Sequence, residues 1–310
     1  MARQAIAERA WSAISRFQDN CKKNKLGKKG YPRFQKEQTH GSFEYKTTGW
    51  KLSEDRRYIT FSDGFKAGTF KMWVTRNLHF YQLKQIKRVR VVRRADGYYV
   101  QFSIDAKRLQ KREPTFKTVG IDVGLNHFYT DSEGNTIANP RHLCKSEKSL
   151  KRLQRRLAKT EKGSKNRAKF RRKLGRKHLK VSRQRQDFAV KTALCVVMSN
   201  DLVAYEDLLW RNMVRNRHLA KSISDAAWTG FRTWVEYFGK VFGVVTVAVP
   251  PHYTSQNCSN CGKVVKKTQS ARTHVCPHTS LRVGVRLLPF KLKFFVGIEI
   301  KLNLPLRSDR

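Results

Sequence analysis

Apolar residues recur at helical spacing near the start of the chain and at strand spacing soon after. Ala7, Trp11, Ile14 and Phe17 lie three or four residues apart and predict a short helix over residues 1–25. KNKLGKKGYPRF follows, basic and punctuated by Gly and Pro, and reads as a connector. From Ser42 to Lys107 the period drops to two, in FEYKTTGWKLSEDRRYITFSDGF, FKMWVTRNLHF and IKRVRVVRRADGYYVQFSI. The ADG at Ala95–Gly97 stands between two alternating runs and predicts a hairpin turn. A small antiparallel β-barrel or sandwich is expected here. Its aromatics (Tyr45, Trp50, Phe70, Trp73, Tyr81, Tyr98, Tyr99) either fill the β core or stack on bases from among their basic neighbours.

The second half changes texture again. FKTVGIDVGLNHFYTDSEGNTI predicts an apolar strand and then a hairpin through Ser132–Asn135. Residues 145–191 read as two helices joined by a short loop at KGSKNR, with Leu150, Leu153 and Leu157 as one buried stripe and Phe170 and Leu174 opening the second helix. That helix continues through DFAVKTALCVVM into an apolar strand ending at Glu206. SISDAAWTGFRTWVEYFGKVFG predicts a single amphipathic helix with Ser224 or Asp225 near its start, and VVTVAVPP a further buried strand. Strand and hairpin, helix, strand, helix, strand together predict an α/β sheet of mixed strands.

Charge alters what such a fold is for. Among 310 residues, 66 Lys and Arg face 23 Asp and Glu, a formal +43. Self-repulsion of that size calls for a polyanion, and nucleic acid fits better than a membrane, since no basic helix carries a wide Trp/Leu face and no apolar run reaches ~18 residues. Residues 145–191 alone hold 20 Lys and Arg against Glu147, Glu161 and Asp187. This hairpin is expected to lie along a phosphate backbone through Arg152, Arg155, Arg156, Lys159, Lys165, Arg167, Arg171 and Arg172. The first residues lack the apolar run of a secretory signal, and three of the six cysteines cluster, which suits a metal site in a reducing bacterial cytoplasm, close to the nucleoid.

In so basic a chain, carboxylates at strand ends need a reason. Asp122 lies in TVGIDVGL between glycines that admit a backbone or a phosphate, and Glu206 ends DLVAYEDL beside Asp207. Acids from two strand ends of one sheet can converge, and paired Mg²⁺ ions bound there stabilise the attacking and leaving oxygens of phosphodiester cleavage. Gly-Ile-Asp-x-Gly also occurs in nucleotide-binding folds, and Glu206 alone reads equally well as a capping or salt-bridged acid.

Taken in order, GIDVGL, RLQRRLAKTEKGSKNRAKFRRKL, AYEDL, NMVRNRHLAKSISDAAW and QNCSNCG resemble the TnpB proteins of bacterial insertion sequences, ancestors of the CRISPR type V effectors. The resemblance spans roughly residues 5–278. It implies a partial helical recognition lobe at 1–30, a β-rich wedge domain at 31–112, an RNase H-like RuvC nuclease domain at 113–253, a zinc ribbon at 254–280 and an atypical tail at 281–310. It also implies an RNA-guided DNA endonuclease, in which a guide RNA derived from the transposon end pairs with double-stranded target DNA and two Mg²⁺ ions serve hydrolysis. Asp122 matches the family's first catalytic acid and Glu206 its second. Members carry the label transposase, although the chemistry is guided cleavage.

The match ends abruptly. The ribbon's Cys258, Cys261 and Cys276 are present, but Thr279 stands where a fourth cysteine is expected, leaving His278 or His274 as the fourth Zn²⁺ ligand. No Asp-Arg-Asp-x-Asn-Ala-Ala segment follows, so the third catalytic acid has no counterpart; the tail's acids are Glu299 and Asp309, and Glu299 is the candidate stand-in. KLKFFVGIEIKLNL alternates like a strand, and so abrupt a loss of resemblance after Cys276 is what a shifted reading frame would produce. The family also has residues ahead of the match at Ala5, so a truncated recognition lobe is expected. Three readings follow: an RNA-guided nuclease, a nuclease-dead protein that still grips guide and target, and a basic RNA-binding protein without a DNA target.

Overall fold

The computed structural model describes residues 2–24, 27, 29–33, 41–62, 64, 67–73, 77–106, 108–251, 258, 261, 263–265, 273–276, 278 and 282–284. The tail with Glu299 and the strand expected in it lie outside these residues. The chain divides into two compact units, Met1–Lys107 with Arg171–Arg176, and Arg108–Phe170 with Lys177–Arg310.

The first unit holds helix α1 (Ala2–Lys22) and strands β1 (Ser42–Tyr45), β2 (Trp50–Leu52), β3 (Tyr58–Phe61), β4 (Gly68–Lys71), β5 (Ile86–Arg93) and β6 (Tyr98–Ile104). They form two antiparallel three-stranded sheets, β1-β5-β6 and β2-β3-β4. The hairpin at Ala95–Gly97 closes as its sequence predicts, with the Arg94 N–H donating to the Gly97 carbonyl at 2.8 Å. In β5, Ile86 and Val89 are both buried although three residues apart; a bulge between Ile86 and Arg88 supplies the extra residue. Tyr45, Ile59, Phe61, Ile86, Val89 and Val91, drawn from both sheets, make one core, with the Tyr45 and Phe61 rings stacked at 5.0 Å. Of the aromatics named above, Tyr45 and Trp50 serve this core, whereas Phe70, Trp73, Tyr98 and Tyr99 are exposed.

Helix α1 forms where expected, but its predicted stripe is not its docking face. Ala2 and Ala5 are its buried residues, while Trp11 and Ile14 are exposed and the half-buried Phe17 meets Tyr31 edge-on at 5.1 Å. Small side chains at the start let the helix approach the sheet, and Arg9 then holds it there by a 2.9 Å ion pair with Glu44.

The second unit contains β7 (Thr118–Val123), β8 (His127–Asp131), β9 (Thr136–Ala138), α2 (His142–Ala158), α3 (Lys165–Ser199), β10 (Leu202–Glu206), α4 (Trp210–Met213), α5 (Ala220–Ala226), α6 (Trp228–Phe242), β11 (Val245–Val249), β12 (Thr273–Val275) and β13 (Arg282–Gly284). Five strands make a mixed sheet in the order β11-β10-β7-β8-β9, with β10 parallel to both neighbours and β8 antiparallel to β7 and β9. Its core joins Ile121, Val203 and Tyr205 of the sheet to Ala193 and Val197 of α3 and Phe231, Val235 and Phe238 of α6. Phe128 and Tyr129, though adjacent, both pack against Phe231, because a register shift between His127 and Tyr129 breaks the alternation. Gly239 of α6 lies so near β11 that a Cβ there would meet Thr246 Cγ2 at 2.6 Å and the Val244 carbonyl oxygen at 3.0 Å.

The single helix predicted across SISDAAWTGFRTWVEYFGKVFG is two helices. The chain turns at Ala227, whose φ of 55° is left-handed, so α5 ends there and α6 begins. Asp225 consequently does not cap α6. Its carboxylate accepts from the Leu143 N–H at 2.9 Å and the Cys144 N–H at 3.4 Å, capping α2 from 82 residues away, and it pairs with Arg185 of α3 at 2.8 Å. Arg141, the local residue ahead of α2, offers no side-chain cap.

Candidate functional site

Strands β7 and β10 run side by side in parallel, with Leu202 opposite Thr118 and Tyr205 opposite Ile121. One further step in that register brings Glu206 beside Asp122, at the same end of two strands about 4.8 Å apart. Alternation sets Asp122 on the face opposite Ile121 and Val123, and Thr130 of β8 stands across from it on the other side. Both acids are half-buried. An oxygen-only donor pair on neighbouring strands fits a hard divalent cation. Among the described residues, no third acid, histidine or cysteine joins them in a ligand group.

Asp207, next in the chain, is committed elsewhere. Its N–H donates to the Val249 carbonyl at 2.8 Å and its carboxylate takes the Arg232 guanidinium. Arg232 also donates to Glu236 at 2.8 Å and lies over the Tyr205 ring, whose hydroxyl donates to Glu236 at 2.7 Å. Burial first, and then the Glu236 carboxylate, push the Tyr205 hydroxyl up to about 12. This network anchors α6 to the end of β10. Between them lies a cavity of about 20 Å³, lined by Glu206, Tyr205, Trp210, Trp228 and Arg232 among others. The Trp210 and Trp228 indole N–H groups are buried without a hydrogen-bond acceptor. Neither indole nor Arg232 was legible as part of this site, since the three come from segments whose aromatic spacing says only that a helix is buried.

The basic hairpin presents Arg152, Arg155 and Arg156 on α2, Lys159 at its C-cap, and Lys165, Arg171 and Arg172 on α3, all exposed. Arg167 is different: half-buried, it donates to the Leu157 carbonyl at 3.1 Å and the Thr160 carbonyl at 2.8 Å, closing the loop between the helices. Ser164 caps α3, accepting from the Arg167 N–H at 3.1 Å.

The Sγ atoms of Cys258, Cys261 and Cys276 all lie within 4.8 Å of one another, with Cys258 and Cys276 buried. The Cys258 N–H donates to the Lys263 carbonyl at 2.8 Å, closing the Cys-x-x-Cys turn. Thiolates around tetrahedral zinc, with Zn–S near 2.3 Å, stand about 3.8 Å apart, so the three fit such an ion. His278 is exposed and outside this group, and the His274 side chain lies outside those described.

Comparison with known proteins accords with these features. Residues 98–217 match the OrfB_IS605 family, described as a probable transposase, and residues 228–284 match the Cas12f1-like TNB domain. A protein of Streptomyces pristinaespiralis is 39% identical over 151 residues, covering 48% of this chain and 38% of its own length. The InsQ protein of Escherichia coli K12 is 28% identical over 258 residues, covering 78% of this chain and 62% of its own. Both carry the provisional name RNA-guided DNA endonuclease. The chain thus spans less than two thirds of either curated relative. A cryo-EM structure of a Cas12f1–sgRNA–target DNA complex superposes over 79% of this chain and 61% of its own at 15% identity, with a TM-score of 0.46, too loose a likeness to bear on the fold. Two family models thus match in chain order, over the same motif series, and the chain is similar there to OrfB-type transposon proteins and to the Cas12f1-like TNB domain.

Proposed function

We propose that the chain is the working part of a transposon-associated, RNA-guided DNA endonuclease. The observation that carries this reading is the alignment of Asp122 and Glu206 at one end of two parallel strands in a chain of net charge +43. The strand order, numbered within the sheet as 5-4-1-2-3 with the second strand antiparallel, matches an RNase H-like RuvC domain. The three thiols then belong to a zinc ribbon, and the first unit to a wedge with part of a recognition lobe.

In this reading Asp122 and Glu206 hold Mg²⁺, whose chemistry when bound is to stabilise the attacking and leaving oxygens of the scissile phosphate. The residues do the rest. Strands β7 and β10 fix the two carboxylates, Thr130 borders them, and α6, tied down through Arg232, shields their far side. The exposed arginines and lysines of α2 and α3 neutralise the backbone of a guide RNA drawn from the transposon end and of its DNA target, while base pairing supplies sequence choice. Such a protein works in the cytoplasm, at the nucleoid. No helix among the described residues is long and apolar enough to cross a membrane.

A second reading, a nuclease-dead guided binder, draws on the absence of a third acid beside Asp122 and Glu206 among the described residues. The protein co-expressed with its transposon-end RNA should be tested on plasmid bearing a matched target, with Mg²⁺ present or chelated. Metal-dependent cutting lost in Asp122→Ala supports the nuclease. Guide-dependent binding without cutting supports the second reading, and absence of RNA binding sinks both.

A further inference from the structure

The segment 108–117, RLQKREPTFK, pairs with no strand, yet it is firmly built. At its start the Gln110 N–H donates to the Val241 carbonyl at 2.8 Å and Arg108 to the Tyr237 hydroxyl at 3.2 Å. At its end Asp201 gathers the turn: its carboxylate accepts from the Thr115 N–H at 3.0 Å, the Thr115 hydroxyl at 3.2 Å and the Phe116 N–H at 2.6 Å. Arg112 pairs with the same carboxylate and donates to the Asn200 carbonyl at 2.7 Å. The Asp201 N–H returns a bond to the Lys117 carbonyl at 2.8 Å. Burial opposes charge on Asp201, but the Thr115 and Phe116 N–H bonds and Arg112 outweigh it and hold its carboxyl below the usual range.

This scaffold fixes one residue against its own preference. Phe116 has a φ of 55°, the left-handed region that bulky side chains avoid, and its ring is 90% exposed. Strain of that kind persists only where the surroundings over-determine it, and here the ring gains no burial in return. The backbone at Phe116 is held while its side chain is presented to solvent. Its exposed neighbours are cationic: Arg108, Lys111 and Lys117, with Glu113 the one acid in the segment.

We infer that Phe116 is a stacking platform for an unpaired nucleobase, with Lys111 and Lys117 placed to meet the adjoining phosphates. The inference rests on the nucleic-acid-binding part of the proposed function and not on cleavage. An aromatic face takes any base, and a residue whose backbone is already fixed loses less freedom on stacking.

The test uses the full chain and fluorescently labelled single-stranded RNA and DNA oligonucleotides of mixed sequence. Phe116→Gly should weaken binding about 5- to 150-fold, with the slope of log affinity against log salt unchanged, because no phosphate contact is lost. Phe116→Trp should restore affinity and show indole fluorescence quenched on binding, and the oligonucleotide that suffers the larger loss identifies the strand bound. Phe116→Gly should also leave the melting temperature level or raise it, since glycine accepts the left-handed turn. A lowered melting temperature would make Phe116 a packing residue and overturn the inference, as would unchanged affinity in Phe116→Gly. If the wild-type chain bound neither oligonucleotide, the inference and the proposed function would fall together; wild-type binding that Phe116→Gly leaves unchanged overturns the inference alone.

Discussion

Two sheets of this protein carry acids in positions that water barely or only partly reaches, and they use them in opposite ways. In the first unit, Glu44 of β1 is 6% exposed and meets three guanidinium groups: Arg9 at 2.9 Å, Arg88 at 3.0 Å and Arg90 at 2.8 Å. The Arg90 bonds above all, and then those of Arg9 and Arg88, overcome burial and lower its pKa to about 2. In the second unit, the register that pairs Tyr205 with Ile121 brings Asp122 and Glu206 to the same end of β7 and β10. Glu44 is a fastener whose charge the protein itself neutralises, linking α1 to the β1-β5-β6 sheet. The β7/β10 acids instead stand at one end of two parallel strands, where in the proposed reading they would hold a hard divalent cation. The difference teaches that in a chain this basic an acid's meaning lies in what faces it, not in its being an acid.

The largest effect that could break this contrast concerns activity. Asp122→Ala should reduce metal-dependent cleavage to background while moving the melting temperature far less than Glu44→Gln does; cleavage that survives would place the chemistry elsewhere. Glu44→Gln leaves three arginines without their counter-charge and should cost about 2–4 kcal/mol in denaturant unfolding, the guanidiniums being half-exposed. Its pH dependence has a definite sign. A folded-state pKa near 2, against ~4.3 in the unfolded chain, means Glu44 stabilises above about pH 4.3 and that this contribution fades as pH falls toward 2. The stability gap between wild type and Glu44→Gln should therefore close across that window, and a gap constant down to pH 2 would contradict the fastener role.

Smaller effects sharpen the picture of how the β7/β10 pair is held. Gly239→Ala forces a methyl group against Thr246 and the Val244 carbonyl, and should cost about 1–3 kcal/mol and disturb β11, the outer neighbour of β10. Cleavage, if present, should fall with it, whereas binding through α2 and α3 should not. Ala227→Gly relaxes the left-handed junction of α5 and α6 and should raise stability by up to about 1 kcal/mol, with no effect on either acid site; calorimetry of the two variants side by side orders them.

Much of this was readable along the chain. Period-two runs located β5 and β6, the ADG turn joined them, and the apolar strands around GID and VAYE announced β7 and β10. Three cysteines at knuckle spacing foretold the thiol cluster. Misreadings came where a residue's partner was distant. Trp11 and Ile14 keep helical spacing but face solvent, because α1 docks through Ala2, Ala5 and Arg9 instead. Asp225 looked like a local cap for the helix after it, and Arg167 like a free cation, until Leu143 and the Leu157 carbonyl came within reach.

By itself, then, the sequence determined the alternation of elements, the excess of positive charge, the family resemblance and the identity of the acids and thiols worth attention. These depend on side-chain period, composition and local spacing, which a linear chain displays. Only the tertiary structure decided that Asp122 and Glu206 come to the same end of two paired strands, that Asp207 belongs to Arg232, that Asp225 caps α2, and that Asp201 clamps the Phe116 backbone in a strained, outward turn. Each is a meeting of residues tens of positions apart, and no local pattern records which of many carboxylates a given N–H or guanidinium will find once the chain has closed on its core.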